Sequence, residues 1–454
     1  VRSARDIAVD ALRDRAGNVS ARLDRLLAEA KLSPADESLA RELALGSLRR
    51  RRTLEAVLKA FLRQPGHKMS SPLPEIFQIA LYQLLFLDRI PDFAAVNEAV
   101  EQAARYNHRR QGGFVNGVLR TIARSLSPAV EEPPPRVSDV IPLAPRLYRR
   151  ADKPIFPDAA ENPAEYLVRA YSLPPILARR WLERYGLEPA CSLAMHANVR
   201  PPMVLRVNRL KATQEQVLAA LAAEGAKAFV HANGQSVVLE EFRDVRTLGV
   251  FRDGLVHPQD ASATAVCMAA APRPATKVLD FCASPGTKTT QLAELMQNRG
   301  EIFALDVTPE KLVRIADNCR RLGVDIVQTR PAEQAGSLNP RDFDLVLVDA
   351  PCSYSGSLAR RPEARWRFDG EQLAALAKDQ VLLTLTASEF VRPGGRLVYC
   401  CASIEPEEGE DVVAQVLRRG GRLKLERQQR IAPAGADEPA RWSDGGFYAI
   451  FQAK

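Results

Sequence analysis

The stretch VLDFCASPGTKT, residues 278–289, decides how the second half of the chain folds. A short apolar run ends in Asp280, a Pro-Gly turn follows at 285–286, and TKTTQLAELMQ (287–297) has the composition of a helix. Outward from it the same alternation repeats. EIFALDV (301–307) reads as a strand and PEKLVRIADNCRRLG (309–323) as a helix. DLVLVDAP (344–351) reads as a strand, EQLAALAKDQVLLTLTASEFV (371–391) as a helix and GGRLVYCCAS (394–403) as a strand. Such alternation predicts right-handed crossovers and a parallel, Rossmann-like sheet over residues 251–454. Ligands of these folds bind beyond the carboxyl ends of the strands. Three places therefore need inspection: after Asp280, after Asp349 and after Tyr399.

The rest of the chain reads differently. Residues 1–125 place apolar residues three and four apart, as in ARLDRLLAEAKL (21–32) and LPEIFQIALYQLLFLDRI (73–90), which predicts an all-α domain. Residues 126–165 are rich in proline and charge and read as a linker unable to form a long helix or a central strand. Residues 166–250 combine helical runs with the alternating segment in PPMVLRVNRLKAT, which predicts a small α+β connecting domain.

Composition narrows the classes. The 454 residues are 46% hydrophobic and 26% charged, a globular balance. No run of 18 apolar residues exists, so no membrane span is expected. Seven cysteines without a CxxC pair indicate neither a disulfide framework nor a metal site, and a reduced cytoplasmic protein is the simplest expectation. The net charge of +8 is carried by residues 1–150, with 25 Lys/Arg against 17 Asp/Glu. Arg49–Arg52 and the neighbourhood of Arg105–Arg110 are the basic clusters expected to face a polyanion.

The strand ends suggest chemistry. The small residues at 282–287 let a ligand approach the backbone, and the following helix start offers unpaired N–H groups. Asp306, ending the second strand, can accept hydrogen bonds from ribose hydroxyls. Together they favour an adenosine-type cofactor; a solvated acid in a generic α/β protein is the alternative. Asp349 and Cys352 could form a nucleophilic or proton-transfer site, although a lone Cys is more often packing.

These segments carry a family resemblance. VLDFCASPGTKT resembles motif I of RNA 5-methylcytosine methyltransferases, DAPCSYSGSLARRPEARW (349–366) their motif IV, and LVYCCASIEPEEGE (397–410) their motif VI. PQDASATAV (258–266) matches the segment before motif I. LPEIFQIALYQLLFLDRIPDFAAVNEAV (73–100) and GGFVNGVLR (112–120) are similar to the NusB-like domain fused to the enzyme in the Sun/RsmB branch, and RPPMVLRVNRLKAT (200–213) to that branch's connecting domain. The resemblance implies an S-adenosylmethionine-dependent enzyme forming 5-methylcytosine in small-subunit ribosomal RNA through a covalent Cys–cytosine adduct. It further implies that Cys282, Ala283, Ser284, Pro285, Gly286, Thr287, Lys288, Asp306 and Asp349 hold the cofactor. Cys352 would assist release, with Asp349 between cofactor and base. A monomer without membrane partners is expected.

One departure matters most. The family reads Thr-Cys-Ser where this chain has Cys401-Ala402-Ser403, so Ala402 occupies the nucleophile position. Strand alternation predicts that Cys401 points away from that position and that Cys400 points the same way, about 6–7 Å further back. Beyond the strand end the alternation relaxes, so Cys401, given a local register change, and Cys352 are the candidate substitutes. Thr287 and Tyr354 stand where the family has Gly, and the motif III acid expected near Arg330-Pro331 is not visible. The alternative is a catalytically weakened member acting as a ribosomal-RNA-binding or assembly protein.

Overall fold

The computed structural model describes residues 2–13, 18–64, 66, 69–106 and 109–454. The chain forms two compact units, Val1–Arg200 with Leu358–Phe368, and Pro201–Ser357 with Asp369–Lys454. Among the described residues no helix is long and apolar enough to cross a membrane.

The first unit is mostly helical. Periodicity explains its packing: in the helix Val19–Glu29 the buried residues Val19, Leu23 and Leu27 recur every fourth position. The helix Leu73–Phe86 is buried along most of its length and serves as the central element. The segment expected to be a linker is instead folded into this unit. It contains an antiparallel hairpin of β1 (Val140–Ala144) and β2 (Leu147–Arg150). Pro142 is tolerated because β1 pairs with β2 alone and has a free edge. The helices Pro163–Ala170, Pro175–Tyr185 and Leu187–Asn198 also pack within this unit.

The basic run expected to face a polyanion is partly internal. Arg49 and Arg50 are buried, and Arg50 donates to the carbonyls of Pro142 and Leu143 at 3.0 and 2.6 Å. Arg51 and Arg52 stack over the Trp366 ring, 5.1 and 5.7 Å from its centroid. Arg105 is paired with Asp6, Glu98 and Glu101, while residues 107–108 lie outside the described residues. Arg365 is fully buried and donates to the carbonyls of Arg49 (2.8 Å), Ser172 (3.3 Å) and Ala197 (2.6 Å) and to Asn198 Oδ1 (2.9 Å). Those acceptors lie at or just beyond the C-termini of three helices, whose partial negative charge suits a cation.

The second unit has two sheets. The smaller contains β3 (Val204–Val207), β4 (Ala228–Val230), β5 (Ser236–Leu239) and β6 (Val256–Pro258), ordered β4-β5-β3-β6 and antiparallel throughout. The larger contains β7 (Thr276–Asp280), β8 (Gly300–Asp306), β9 (Val327–Pro331), β10 (Phe343–Asp349), β11 (Val391–Cys401), β12 (Leu423–Ile431) and β13 (Gly446–Ala453). Their order is β12-β13-β11-β10-β7-β8-β9. The expected parallel strands are present, but the sheet is mixed: β13 runs antiparallel to β11, and β12 to β13. Side-chain alternation splits the core between the two faces. Leu279, Val346, Val348, Tyr399 and Cys401 pack on one, and Val278, Leu345, Leu347, Val398 and Cys400 on the other.

Replacing Arg365 by Met strands several buried carbonyls without donors. The expected loss is on the order of 3 kcal/mol, read as a melting temperature lower by about 5–10 °C in calorimetry of the whole chain.

Candidate active site

The cofactor loop begins where β7 stops. Phe281 N–H still donates to Leu347 O (2.8 Å) and Ala283 N–H to Leu305 O (2.9 Å), so the loop stays pinned between β10 and β8. Gly286 then turns the chain at φ +91°, where a Cβ would lie 3.3 Å from the backbone of Ile315. A side chain is disfavoured there twice, by conformation and by space. The helix Thr287–Leu295 follows immediately.

Asp306, at the tip of β8, anchors this loop. Its carboxylate accepts from Ser284 N–H (2.9 Å) and Val307 N–H (2.7 Å) and pairs with Lys311 (3.0 Å). A carboxylate offers about four acceptor positions, so capacity remains for a ribose hydroxyl. Asp280 is buried beneath the loop. Thr289 Oγ1 donates to its Oδ2 (2.7 Å), while Oδ1 is buried without a partner. Burial, with Asp349 adding to it, pushes this carboxyl up to about 7. An orphaned buried acceptor, an acid at the second strand tip and a glycine-turned cradle together fit an adenosyl cofactor bearing an amine. The acid expected at the end of β9 is absent, since Arg330 lies there, 4.7 Å over the Phe303 ring.

At the tips of β10 and β11 a second group of side chains meets. Lys288 Nζ pairs with Asp349 Oδ2 at 2.5 Å, and this carboxylate raises the lysine despite its burial. Cys400 Sγ donates to Asp349 Oδ1 at 3.4 Å. Lys288, Asp349, Cys400, Cys401 and Ala402 line one cavity of about 40 Å³. That volume holds a few waters rather than a nucleobase.

The loop after β10 is fastened by Glu408. This buried carboxylate accepts from Ser353 N–H (2.8 Å), Ser353 Oγ and Gln380 Nε2 (2.9 Å). Its carbonyl accepts from Tyr399 OH (2.6 Å) and Cys401 Sγ (3.2 Å). Nothing in the sequence singled out Glu408; its place three residues after Glu405, in an acidic run, reads as helix-start charge. Tyr354 adopts φ +60°, the left-handed conformation that Gly adopts freely. It packs against the core instead of lining the cavity.

The alternation relaxes at the critical point, just beyond the strand end. Cys401 and Ala402 pack against the same core cluster, because β11 ends at Cys401 and the chain turns. Cys352 is buried on that side too and does not line the cavity. Burial is the main cause that raises every thiol here. Cys401 is pushed up to about 12, with Glu408 adding to it. Cys352 is also raised well above the usual thiol range, by burial, Cys401 and Glu408. Cys400 is also raised well above the usual range by burial and Asp349, against the pull of Lys288. Cys282 is pushed up to about 12 by burial and Asp280.

A parallel-stranded core with a glycine-turned loop after the first strand and an acid after the second is the arrangement of an adenosine-cofactor fold, and the class it belongs to is the S-adenosylmethionine-dependent methyltransferases. Sequence comparisons agree. The model of the 16S rRNA methyltransferase RsmB/F family matches residues 267–448, that of the NusB family residues 2–124, and that of the RsmF/B ferredoxin-like domain residues 173–246. The probable ribosomal RNA small subunit methyltransferase B of Bacillus subtilis is 32% identical over 90% of this chain and 87% of its own length. Its counterpart in Klebsiella pneumoniae is 30% identical over 92% and 90%. Among solved structures, PH0851 superposes with a TM-score of 0.73 over 99% of both chains at 23% identity, which shows the fold. A methyltransferase homologue from Pyrococcus horikoshii gives 0.53 over 63% of this chain and 98% of its own, at 26% identity. The chain belongs to the ribosomal RNA small subunit methyltransferase B family.

Asp280 gives a pH signature. Its raised folded-state pKa means that the folded protein binds a proton the unfolded chain has released between about pH 4 and 7. Its contribution to stability therefore falls as pH rises through that window. Urea unfolding at pH 5, 6, 7 and 8 is expected to show Asp280→Asn losing this decline relative to the native protein.

Proposed function

We propose that this chain methylates carbon 5 of a cytosine in small-subunit ribosomal RNA, acting as a cytoplasmic monomer. Residues 1–125 and the lysine and arginine loops contact RNA phosphates, residues 166–250 connect, and residues 251–454 hold the cofactor and the base. The observation that carries this reading is the cavity at the strand tips, where Lys288, Asp349, Cys401 and Ala402 come together.

Cytosine carbon 5 is a weak nucleophile. A thiolate adding to carbon 6 makes carbon 5 electron-rich; afterwards the carbon-5 proton is removed and the thiolate leaves. When bound, S-adenosylmethionine supplies an electrophilic methyl group. The loop Cys282–Lys288 and Asp306 hold it, and Asp349, held by Lys288, lies toward the base. Ala402 has no atom that can attack, so the neighbouring Cys401 supplies the thiol and Cys352 assists release. The target is an unstacked loop nucleotide, as is usual for sequence-specific RNA recognition.

A thiol at about 12 leaves roughly one molecule in 10⁵ as thiolate at neutral pH. Transfer is therefore slow and base-dependent. That scarcity, with Ala402, favours a second reading: a ribosomal-RNA-binding or assembly protein whose transfer chemistry has weakened.

The test is labelled-methyl transfer to undermethylated small-subunit RNA. Native protein is expected to transfer slowly, with a rate rising about tenfold per pH unit between pH 7 and 9. Cys401→Ala abolishes transfer, Cys352→Ala slows release, and Ala402→Cys accelerates transfer at least about tenfold. Salt-sensitive RNA binding without transfer by the native protein, and with transfer by Ala402→Cys, supports the second reading.

A further inference from the structure

His257 lies on β6, outside the residues assigned to the reaction. It is 5% exposed and bonded on both sides. Its Nδ1 lies 2.8 Å from Arg321 Nη2, and its Nε2 lies 3.2 Å from Thr287 Oγ1. A guanidinium can only donate, so Nδ1 is the acceptor and the single proton of a neutral ring must be on Nε2. Nε2–H then donates to the Thr287 hydroxyl oxygen, whose own hydrogen is left to point elsewhere. Thr287 is half-buried, directly after Gly286, at the first residue of the nine-residue helix that opens from the cofactor loop.

The surroundings hold the ring neutral. Burial, Arg206 from β3 and Arg321 from the helix Pro309–Leu322 depress its pKa well below the usual value. Arg206 is itself buried; it pairs with Glu294 (2.6 Å) and donates to Thr287 O (2.8 Å) and Thr290 Oγ1 (3.1 Å). The first turn of the helix is thus clamped from behind by Arg206 while His257 fixes its leading hydroxyl. A helix start with a donor added to its free N–H groups suits an anion, and the anionic group of the cofactor is its carboxylate.

We propose that Arg321, His257 and Thr287 form a hydrogen-bond relay that turns the Thr287 hydroxyl hydrogen toward the cofactor carboxylate, making Thr287 a binding donor and His257 its positioning residue. The relay gives a role to a residue that otherwise reads as a departure from the family's Gly. It rests on the assignment of the 282–288 loop to the cofactor.

The test combines calorimetric titration of the whole chain with S-adenosylhomocysteine and nitrogen-15 NMR of its five histidines. Thr287→Val, which keeps shape and removes the hydroxyl, is expected to weaken binding about tenfold, and Thr287→Ser to restore it. His257→Leu weakens binding to a similar extent. His257→Gln retains it, because the amide oxygen can accept from Arg321 while the amide nitrogen donates to Thr287. The His257 signals are expected to report the Nε2-protonated neutral ring from pH 6 to 8. Binding by Thr287→Val within twofold of the native protein, or a proton on Nδ1, overturns the relay. No binding by the native protein overturns the cofactor assignment itself, while the NMR tautomer still judges the hydrogen-bond pattern.

Discussion

The strand-tip site depends on one buried carboxylate. Glu408 accepts from the backbone and hydroxyl of Ser353 and from Gln380, so the loop after β10 is tied to the turn after β11. A buried carboxyl group needs partners for its oxygens, and here three donors from two of the groups that must be immobilised supply them. Parallel register brings Asp349 beside Cys400; Glu408 decides what happens beyond the last ladder bond. Tyr399 and Cys401 donate to its backbone carbonyl, which extends the same tie into the core.

Much of this was readable from residue order. Four of the five parallel strands announce themselves as apolar runs ended by acids or small residues, and Asp306 ends one of them; β9, VQTRP, is largely polar and carries no such signal. The antiparallel pair β12 and β13 was not legible. LKLERQQRI is mostly polar because β12 is an edge strand facing solvent, so it lacks the apolar run that marked the others. The 126–165 segment misled for a related reason: proline argues against central strands, and says nothing against a two-stranded hairpin. Arg49 and Arg50 look like surface charge in sequence, since nothing local reveals that carbonyls distant along the chain will receive them.

The site shows a similar split. Parallel register sets Cys400 beside Asp349, on the face opposite to the one Ala402 packs against, and one residue past the strand the alternation relaxes, so that Cys401 and Ala402 share a side. Periodicity is a property of the ladder and ends with it. The electrostatics were not legible at all. Three thiols crowd near Asp349 and Glu408, and burial among carboxylates works against the ionisation that a cysteine nucleophile needs.

The Arg365 plug bears on how the protein is made. The helical unit is not contiguous: it needs Leu358–Phe368, which the ribosome delivers long after Arg200. At ordinary elongation speeds the interval is on the order of ten seconds. During that time three helix ends wait without their guanidinium, and nascent chains are open to chaperones. The full set of partners for those helix ends is therefore present only once translation has passed Phe368.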